Sequence, residues 1–320
     1  MWTFSNIFKT TIWGGERIPE FKNLETSERQ IGESWEISGV DGSESVVADG
    51  PDKGTPLHSL LHKYGASLLG ARNYEKYGDS FPLLIKFIDA AQDLSVQVHP
   101  DDELARKRGA KFGKTEMWYV VDSAPGARLA NGFKSPVDPA DYERLVSTGE
   151  IEEALRFCPI APGDVFFIPA GRVHAIGKGA FVAEIQETSD ITYRLYDYRR
   201  KDAEGRERQL HTAEAFDAID FNDDRGRAVD YTPQLDEAVK VVESPFFTTE
   251  VIKAAREMKL DFSGIDSFKV IIAVEGKCVV EVGDEAVVLT RGKSLLIPAT
   301  AQSVDLIPTP RFSGLVTYIA

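Results

Sequence analysis

The chain has 320 residues, room for about two ordinary domains, and its 42% hydrophobic and 10% aromatic content is enough to build real cores. Its 37 lysines and arginines stand against 51 aspartates and glutamates, a net charge of −14 that excludes nucleic acid and anionic membranes as partners. Any anionic small-molecule substrate must be met by a local basic cluster.

The N-terminus, MWTFSNIFKTTIWGG, lacks a basic start, an apolar stretch and a small-residue cleavage site, and no run approaches the ~18 apolar residues of a membrane span. Cys158 and Cys278 are far apart and fit no metal or redox spacing, which predicts reduced thiols acting as small buried apolar residues. The expectation is a cytoplasmic protein.

Along the chain, the first predicted strand is SWEIS (34–38). Thr55-Pro56 then sets an N-cap before a first-turn proline and opens a helix through HSLLHKYG, so a helical insertion is expected near 55–65. His58 and His62 lie four apart on it, but Ser59 replaces the glutamate of a helical zinc-protease motif, and both read as surface histidines. PLLIKFID (82–89), LSVQVH (94–99) and MWYVVD (117–122) are strands rich in β-branched and aromatic residues. Asp138-Pro139 caps a second helix, ADYERLVS, and a short helix EIEEALRF follows Gly149, which places an insertion near 136–157. Strands DVFFIP (164–169) and ITYRLYDY (191–198) come next, then a helix at 211–220 with His211 in its cap. The polar stretch 222–237 is the expected linker.

Self-comparison reveals a repeat. PGDVFFIPAGRVH (162–174) realigns with RGKSLLIPATAQS (291–303) at an offset of 129, and WYVVD (118–122) with IIAVE (271–275) at 153. The difference, 153 − 129 = 24 residues, is about the size of the second insertion. The fold class expected is therefore mainly β, two related barrels with a few inserted helices, divided into residues 1–230 and 231–320. These offsets turn Glu116 into Lys269 and His174 into Ser303, so only the first barrel carries chemistry.

In LSVQVHPDD, Ser95, Gln97 and His99 share one strand face while Val96 and Val98 share the other. An imidazole there is either a hydrogen-bonded strand-end residue or a metal ligand. The spacing Gly163-x5-Pro169-x-Gly171-x2-His174 resembles the second motif of the cupins, jelly-roll β-barrels in which such a histidine enters the lumen. Gln97-Val98-His99 then takes the place of the first motif, and Glu116 in GKTEMWYV supplies a carboxylate.

FPLLIKFIDA, LSVQVHPDD, GKTEMWYV, IPAGRVHAIG and EIQETSDITYRLYDYRR closely resemble the type I mannose-6-phosphate isomerases (phosphomannose isomerases), especially the short bacterial form. With IWGG (12–15) and GESWEIS (32–38), the likeness covers nearly all of residues 1–220. It implies one Zn²⁺ per chain on Gln97, His99, Glu116 and His174. One carboxylate and three neutral donors leave the ion a net charge of about +1, hence Lewis-acidic with a position open.

The resemblance further implies a phosphosugar substrate, isomerised between mannose 6-phosphate and fructose 6-phosphate through a cis-enediol. Arg194 aligns with an active-site arginine, Asp190 and Glu184 are candidates for proton transfer, and Ser95, Lys114, Lys86 and Arg200 match positions near the sugar or its phosphate. The run Arg199-Arg200-Lys201 supplies local positive potential. Two other readings stay open: an Fe(II)-dependent cupin oxygenase and a non-catalytic sugar-binding cupin. Oligomeric state is left open and a monomer is compatible with it.

Overall fold

The structure, a computed structural model, describes residues 1–201 and 204–320. Its N-terminal half runs β1 (Ile7–Gly15), α1 (Arg17–Lys22), β2 (Ile31–Ile37), α2 (Leu57–Tyr64), α3 (Ala66–Leu69), α4 (Ala71–Tyr77), β3 (Leu83–Asp89) and β4 (Val96–Val98). It continues with α5 (Asp102–Lys107), β5 (Glu116–Ser123), β6 (Arg128–Phe133), α6 (Tyr142–Thr148), α7 (Ile151–Ala154), β7 (Leu155–Pro159), β8 (Val165–Ile168), β9 (His174–Ile176), β10 (Ala180–Glu187), β11 (Tyr193–Tyr196) and α8 (Thr212–Ala218). The C-terminal half is all strand: β12 (Glu237–Glu243), β13 (Thr248–Ala254), β14 (Met258–Asp261), β15 (Lys269–Val282), β16 (Glu285–Thr290), β17 (Ser294–Ile297) and β18 (Ser303–Tyr318). Among the described residues no helix is long and apolar enough to cross a membrane.

The fold is mainly β, as the alternation of the strands requires. β1, β2, β3, β10, β5 and β8 form one antiparallel sheet in that order, β11, β4, β9, β6 and β7 a second, and the C-terminal strands a third. Period-2 alternation sorts each strand into two environments. On β5, Trp118 and Val120 face the space between the first two sheets with Ile88, Val182 and Ile176. Met117 and Tyr119 face a core shared with Phe247, Phe268, Val270, Leu296 and Leu315 of the C-terminal half. On β4, Val96 and Val98 pack outward against Tyr142, Val146 and Ile151 of the helical insertion, so Gln97 is turned inward.

Helices stand at 57–64, at 142–148 with 151–154, and at 212–218, but their details differ from expectation. Thr55 is not the cap of α2: Pro56 holds that position without a side-chain bond of its own, and the Glu44 carboxylate accepts from the His58 N–H instead. α3 and α4 extend the first insertion and were not expected. They are short helices separated by Gly65, Gly70 and Gly78, all at positive φ, so neither presents enough periodic positions to register in the sequence. EIEEALRF does not stay helical: after one turn, Leu155–Pro159 pairs with β6, an edge that Phe157 and its neighbours can satisfy only as strand. α5 is capped by Asp101, whose Oδ1 accepts from the Leu104 N–H at 2.8 Å. His58 and His62 are exposed and pair with Glu44 and Asp79. Cys278 is buried, whereas Cys158 is only half-buried, and neither forms a disulfide.

The repeat is visible in the ladders. Glu116 pairs with Ile168, and Lys269 pairs with Ile297, positions related by the offsets 153 and 129. The offset of 129 carries past Pro298, since β9 opens at His174 and β18 at Ser303, but the faces differ: Val304, not Ser303, joins the inner apolar cluster of the C-terminal half.

Asp52, 8% exposed, ties the N-terminal segment to α2 by accepting from Trp2 Nε1 and Tyr64 Oη at 2.9 Å and from Lys63 Nζ at 2.6 Å. The hydrogen bonds from Lys63 and Trp2 hold its carboxyl below the usual aspartate value. A depressed folded-state pKa stabilises the fold above the unfolded value of about 3.9 and is lost as pH falls through the folded one. Asp52→Asn is therefore expected to be less stable than the parent at pH 7, with the gap closing below about pH 4. Urea midpoints measured from pH 3 to 7 check this.

Candidate metal centre

β4 and β9 pair at a single register position, Gln97 with His174, and β5 begins at Glu116 on the facing sheet. His99 follows β4 by one residue. Gly163 and Gly171 take positive φ of 97° and 86° in the turns that flank β8, which only glycine adopts without strain, and these turns aim β9 into the interior.

The result is a buried cluster of His99, Glu116 and His174, whose ligand atoms lie within 4.8 Å of one another. His174 Nε2 is 3.3 Å from Glu116 Oε1, and His99 Nε2 is 3.5 Å from Oε2. Each imidazole donates outward from Nδ1, His99 to the Ile191 carbonyl and His174 to the Arg172 carbonyl, both at 2.8 Å. This fixes the tautomer and turns both Nε2 lone pairs inward. Burial holds His174 neutral, with a pKa lowered to about 3, and burial with the Lys114 charge lowers His99 well below its ordinary value. Burial, reinforced by Glu184, pushes Glu116 up to about 7.

Both Glu116 oxygens are buried without a hydrogen bond, although Lys114 Nζ stands 3.0 Å from Oε2. An unsatisfied buried carboxylate facing two inward lone pairs, of which His99 Nε2 accepts from Lys114 Nζ at 3.1 Å, is unfavourable by itself and fits a divalent cation at the centre. Gln97 stands beside the trio, its Nε2 3.2 Å from His174 Nε2. Half a turn about its last bond exchanges oxygen and nitrogen with little change of shape, and only the rotated amide offers an oxygen to a cation.

A charged wall surrounds the cluster. Lys86 Nζ lies 3.0 Å from Glu184 and 3.4 Å from Glu33, and Lys114 Nζ lies 4.0 Å from Glu184. Trp118 Nε1 donates to Glu184 at 2.8 Å. Burial alone would raise Glu184 and lower Lys86; the mutual attraction of the two, with Lys114 and Glu33 beside them, outweighs it and keeps both charged.

Arg194 pairs in register with Gln97, and its Nε donates to Ser95 Oγ at 3.3 Å. It makes no ion pair with Asp190 or Asp197. Asp197 instead accepts from Arg200 and Arg208, and Arg200 also donates to the Asp93 carbonyl at 2.5 Å. Asp190 is exposed, and its carboxylate makes no contact with the buried set. Of the predicted residues, then, Gln97, His99, Glu116, His174, Lys114, Lys86 and Glu184 come together, Ser95 and Arg194 adjoin them, Arg200 lies at the Asp93 edge, and Asp190 stays outside.

Glu33, Trp118 and Arg208 were not anticipated. Trp118 was legible, since two residues beyond Glu116 on a strand must share its face. Glu33 reaches Lys86 from a strand distant in sequence, and Arg208 reaches Asp197 from an irregular segment, so neither leaves a periodic signal.

A mainly β chain with a buried two-histidine, one-carboxylate cluster in the wall of a jelly roll is a cupin-type protein whose cluster could hold a metal. Residues 1–124 match the model of the phosphomannose isomerase type I catalytic domain, and 237–309 that of the mannose-6-phosphate isomerase cupin domain. The mannose-6-phosphate isomerase of Streptococcus mutans is 35% identical over 91% of this chain and 90% of its own length. ManA of Bacillus subtilis is 36% identical over 92% of both. The crystal structure of the mannose 6-phosphate isomerase from Bacillus subtilis superposes with a TM-score of 0.87 at 30% identity, covering 99% of this chain and 98% of that one. The chain belongs to the type I mannose-6-phosphate isomerase family.

His99→Ala and Glu116→Ala are each expected to lose the bound divalent ion while retaining β structure. Elemental analysis after gel filtration, with far-ultraviolet circular dichroism as the control, reads both; a full metal complement in either variant sinks the site.

Proposed function

We propose that this chain interconverts mannose 6-phosphate and fructose 6-phosphate, with one Zn²⁺ per chain held by Gln97, His99, Glu116 and His174. The observation that carries the reading is the Glu116 carboxylate, buried without a hydrogen bond between two neutral imidazoles whose lone pairs face it. The bound ion supplies Lewis acidity toward the sugar's carbonyl and hydroxyl oxygens.

The remaining chemistry belongs to the surrounding side chains. Aldose–ketose isomerisation moves a proton between C2 and C1 through a cis-enediol, while the adjacent oxygens exchange theirs. Negative charge grows on those oxygens, and Arg194, bonded to Ser95 and the Gln209 carbonyl and without a carboxylate partner among the described residues, can stabilise it. Lys114 places a cation toward the sugar's oxygens, while the Lys86–Glu184 pair is neutral as a unit and keeps the wall balanced within a chain of net charge −14. Arg200 meets the phosphate at the mouth, beside Asp93.

Glu184 and Asp190 are the two candidates for the proton carrier. Glu184 is enclosed by Lys86 and Trp118 and kept ionised, which suits a fixed electrostatic role. Asp190 is exposed one residue before Ile191, whose carbonyl holds His99, and has no ion-pair partner among the described residues, which favours it as the base.

A coupled assay with mannose 6-phosphate, run before and after chelation and again after zinc is restored, tests the reading. Turnover should vanish on chelation and return with zinc. Oxygen consumption without sugar isomerisation would point to an oxygenase instead. Arg194→Ala is expected to keep its metal and lower kcat/KM by about 10²–10³-fold, a split between metal content and turnover that the ligand variants do not show.

A further inference from the structure

Lys269 is fully buried, yet it lies in the half of the chain that has no metal cluster among its described residues. It opens β15 as Glu116 opens β5, and the residues that follow sort alike. Trp118 and Val120 line the inner face of one half, Ile271 and Ala273 that of the other. Carried across by ladder and face, Gln97, His99 and His174 become Leu260, Phe262 and Val304, all apolar and buried. Three ligands have turned into hydrocarbon, and the carboxylate has turned into a cation.

That cation is bonded throughout. The Lys269 ammonium donates to the Ala301 carbonyl at 2.9 Å and to the Ile265 and Ala299 carbonyls at 3.4 Å, and it lies 5.1 Å from the centre of the Phe262 ring. Burial lowers its pKa to about 8, with Asp266 opposing, so it remains mostly protonated at neutral pH.

Its acceptors sit on two loops, 262–267 and 298–301, and these same loops grip the N-terminal half. Asp266 accepts from the Ala71 N–H at 3.0 Å and the Arg72 N–H at 3.4 Å, at the start of α4. The Ala299 and Thr300 N–H groups donate to the Leu68 and Ser67 carbonyls of α3 at 2.9 and 3.3 Å.

We propose that Lys269 is the internal cation of the C-terminal half, a positioning residue whose ammonium cross-links the two loops that hold α3 and α4 of the catalytic half. It performs the joining task that an ion held by the His99–Glu116–His174 cluster would perform in the other half, without needing a ligand from solution. The proposal concerns the docking of the two halves and does not depend on which metal or sugar the first half takes.

Hydrogen exchange on the metal-loaded enzyme tests it, comparing the parent with Lys269→Met. A buried lysine that is merely tolerated can be replaced by a hydrocarbon of similar length without loss, often with a gain. If the ammonium organises the loops, the amides of Ala71, Arg72, Ala299 and Thr300 should exchange at least about tenfold faster, with those of β5 and β9 unchanged and metal content intact. Parental protection at those four amides overturns the proposal. Should the methionine variant not accumulate as folded protein, the same four amides are read in Lys269→Gln, where acceleration supports the proposal and parental protection again overturns it. Metal content and turnover are measured in the same samples, so failure here is distinguishable from failure of the isomerase reading.

Discussion

One buried carboxylate organises this molecule. Glu116 is wholly inside, its oxygens without a hydrogen bond, facing two imidazoles held neutral by burial and turned inward by backbone carbonyls. Such a group is strongly unfavourable in a low-dielectric interior unless a cation completes it. Lys114 provides part of that charge at 3.0 Å, and a divalent ion would provide the rest. Everything nearby follows from that requirement: the glycine turns that aim β9 inward, the outward Nδ1 bonds, and the Lys86–Glu184 pair that keeps the wall balanced.

The scaffold meets this need through alternation. A strand between two packed layers must be apolar on both faces, yet β4, β5 and β10 each divert part of one face to polar residues and keep the other for packing. For β4 the outward valines need a cover, and the helices between β6 and β7 supply it with Tyr142, Val146 and Ile151. The insertion therefore makes it possible for Gln97 to point inward at no loss of core.

Duplication explains the second half without assigning it the same task. Once no ion has to be held, leucine, phenylalanine and valine can fill the ligand positions, and the inner cluster becomes continuous hydrocarbon around a single ammonium. The face turned toward the catalytic half stays apolar in both copies, with Met117 and Tyr119 on one side and Val270 and Ile272 on the other, so the two halves share one core.

The strands, the repeat and the residues of the buried His99–Glu116–His174 cluster were legible in the sequence because each rests on a local signal. Period-2 alternation places Gln97 with His99, glycine and proline mark the turns before His174, and a long, related block reads as a second copy. Short helices such as α3 and α4 were not legible, since a few residues between glycines carry no periodicity. The turn of EIEEALRF into strand β7 was decided by the neighbouring edge of β6, a partner that local propensity cannot see. The sequence by itself determined a β-rich chain, which residues can ligate a cation and which half holds them. Only the tertiary structure decided that Glu116 lacks hydrogen bonds, that Arg194 escapes Asp197, and that Val304 rather than Ser303 faces inward. Residue spacing sets the direction of a side chain within its own strand, whereas desolvation and partnership depend on groups brought from elsewhere in the fold.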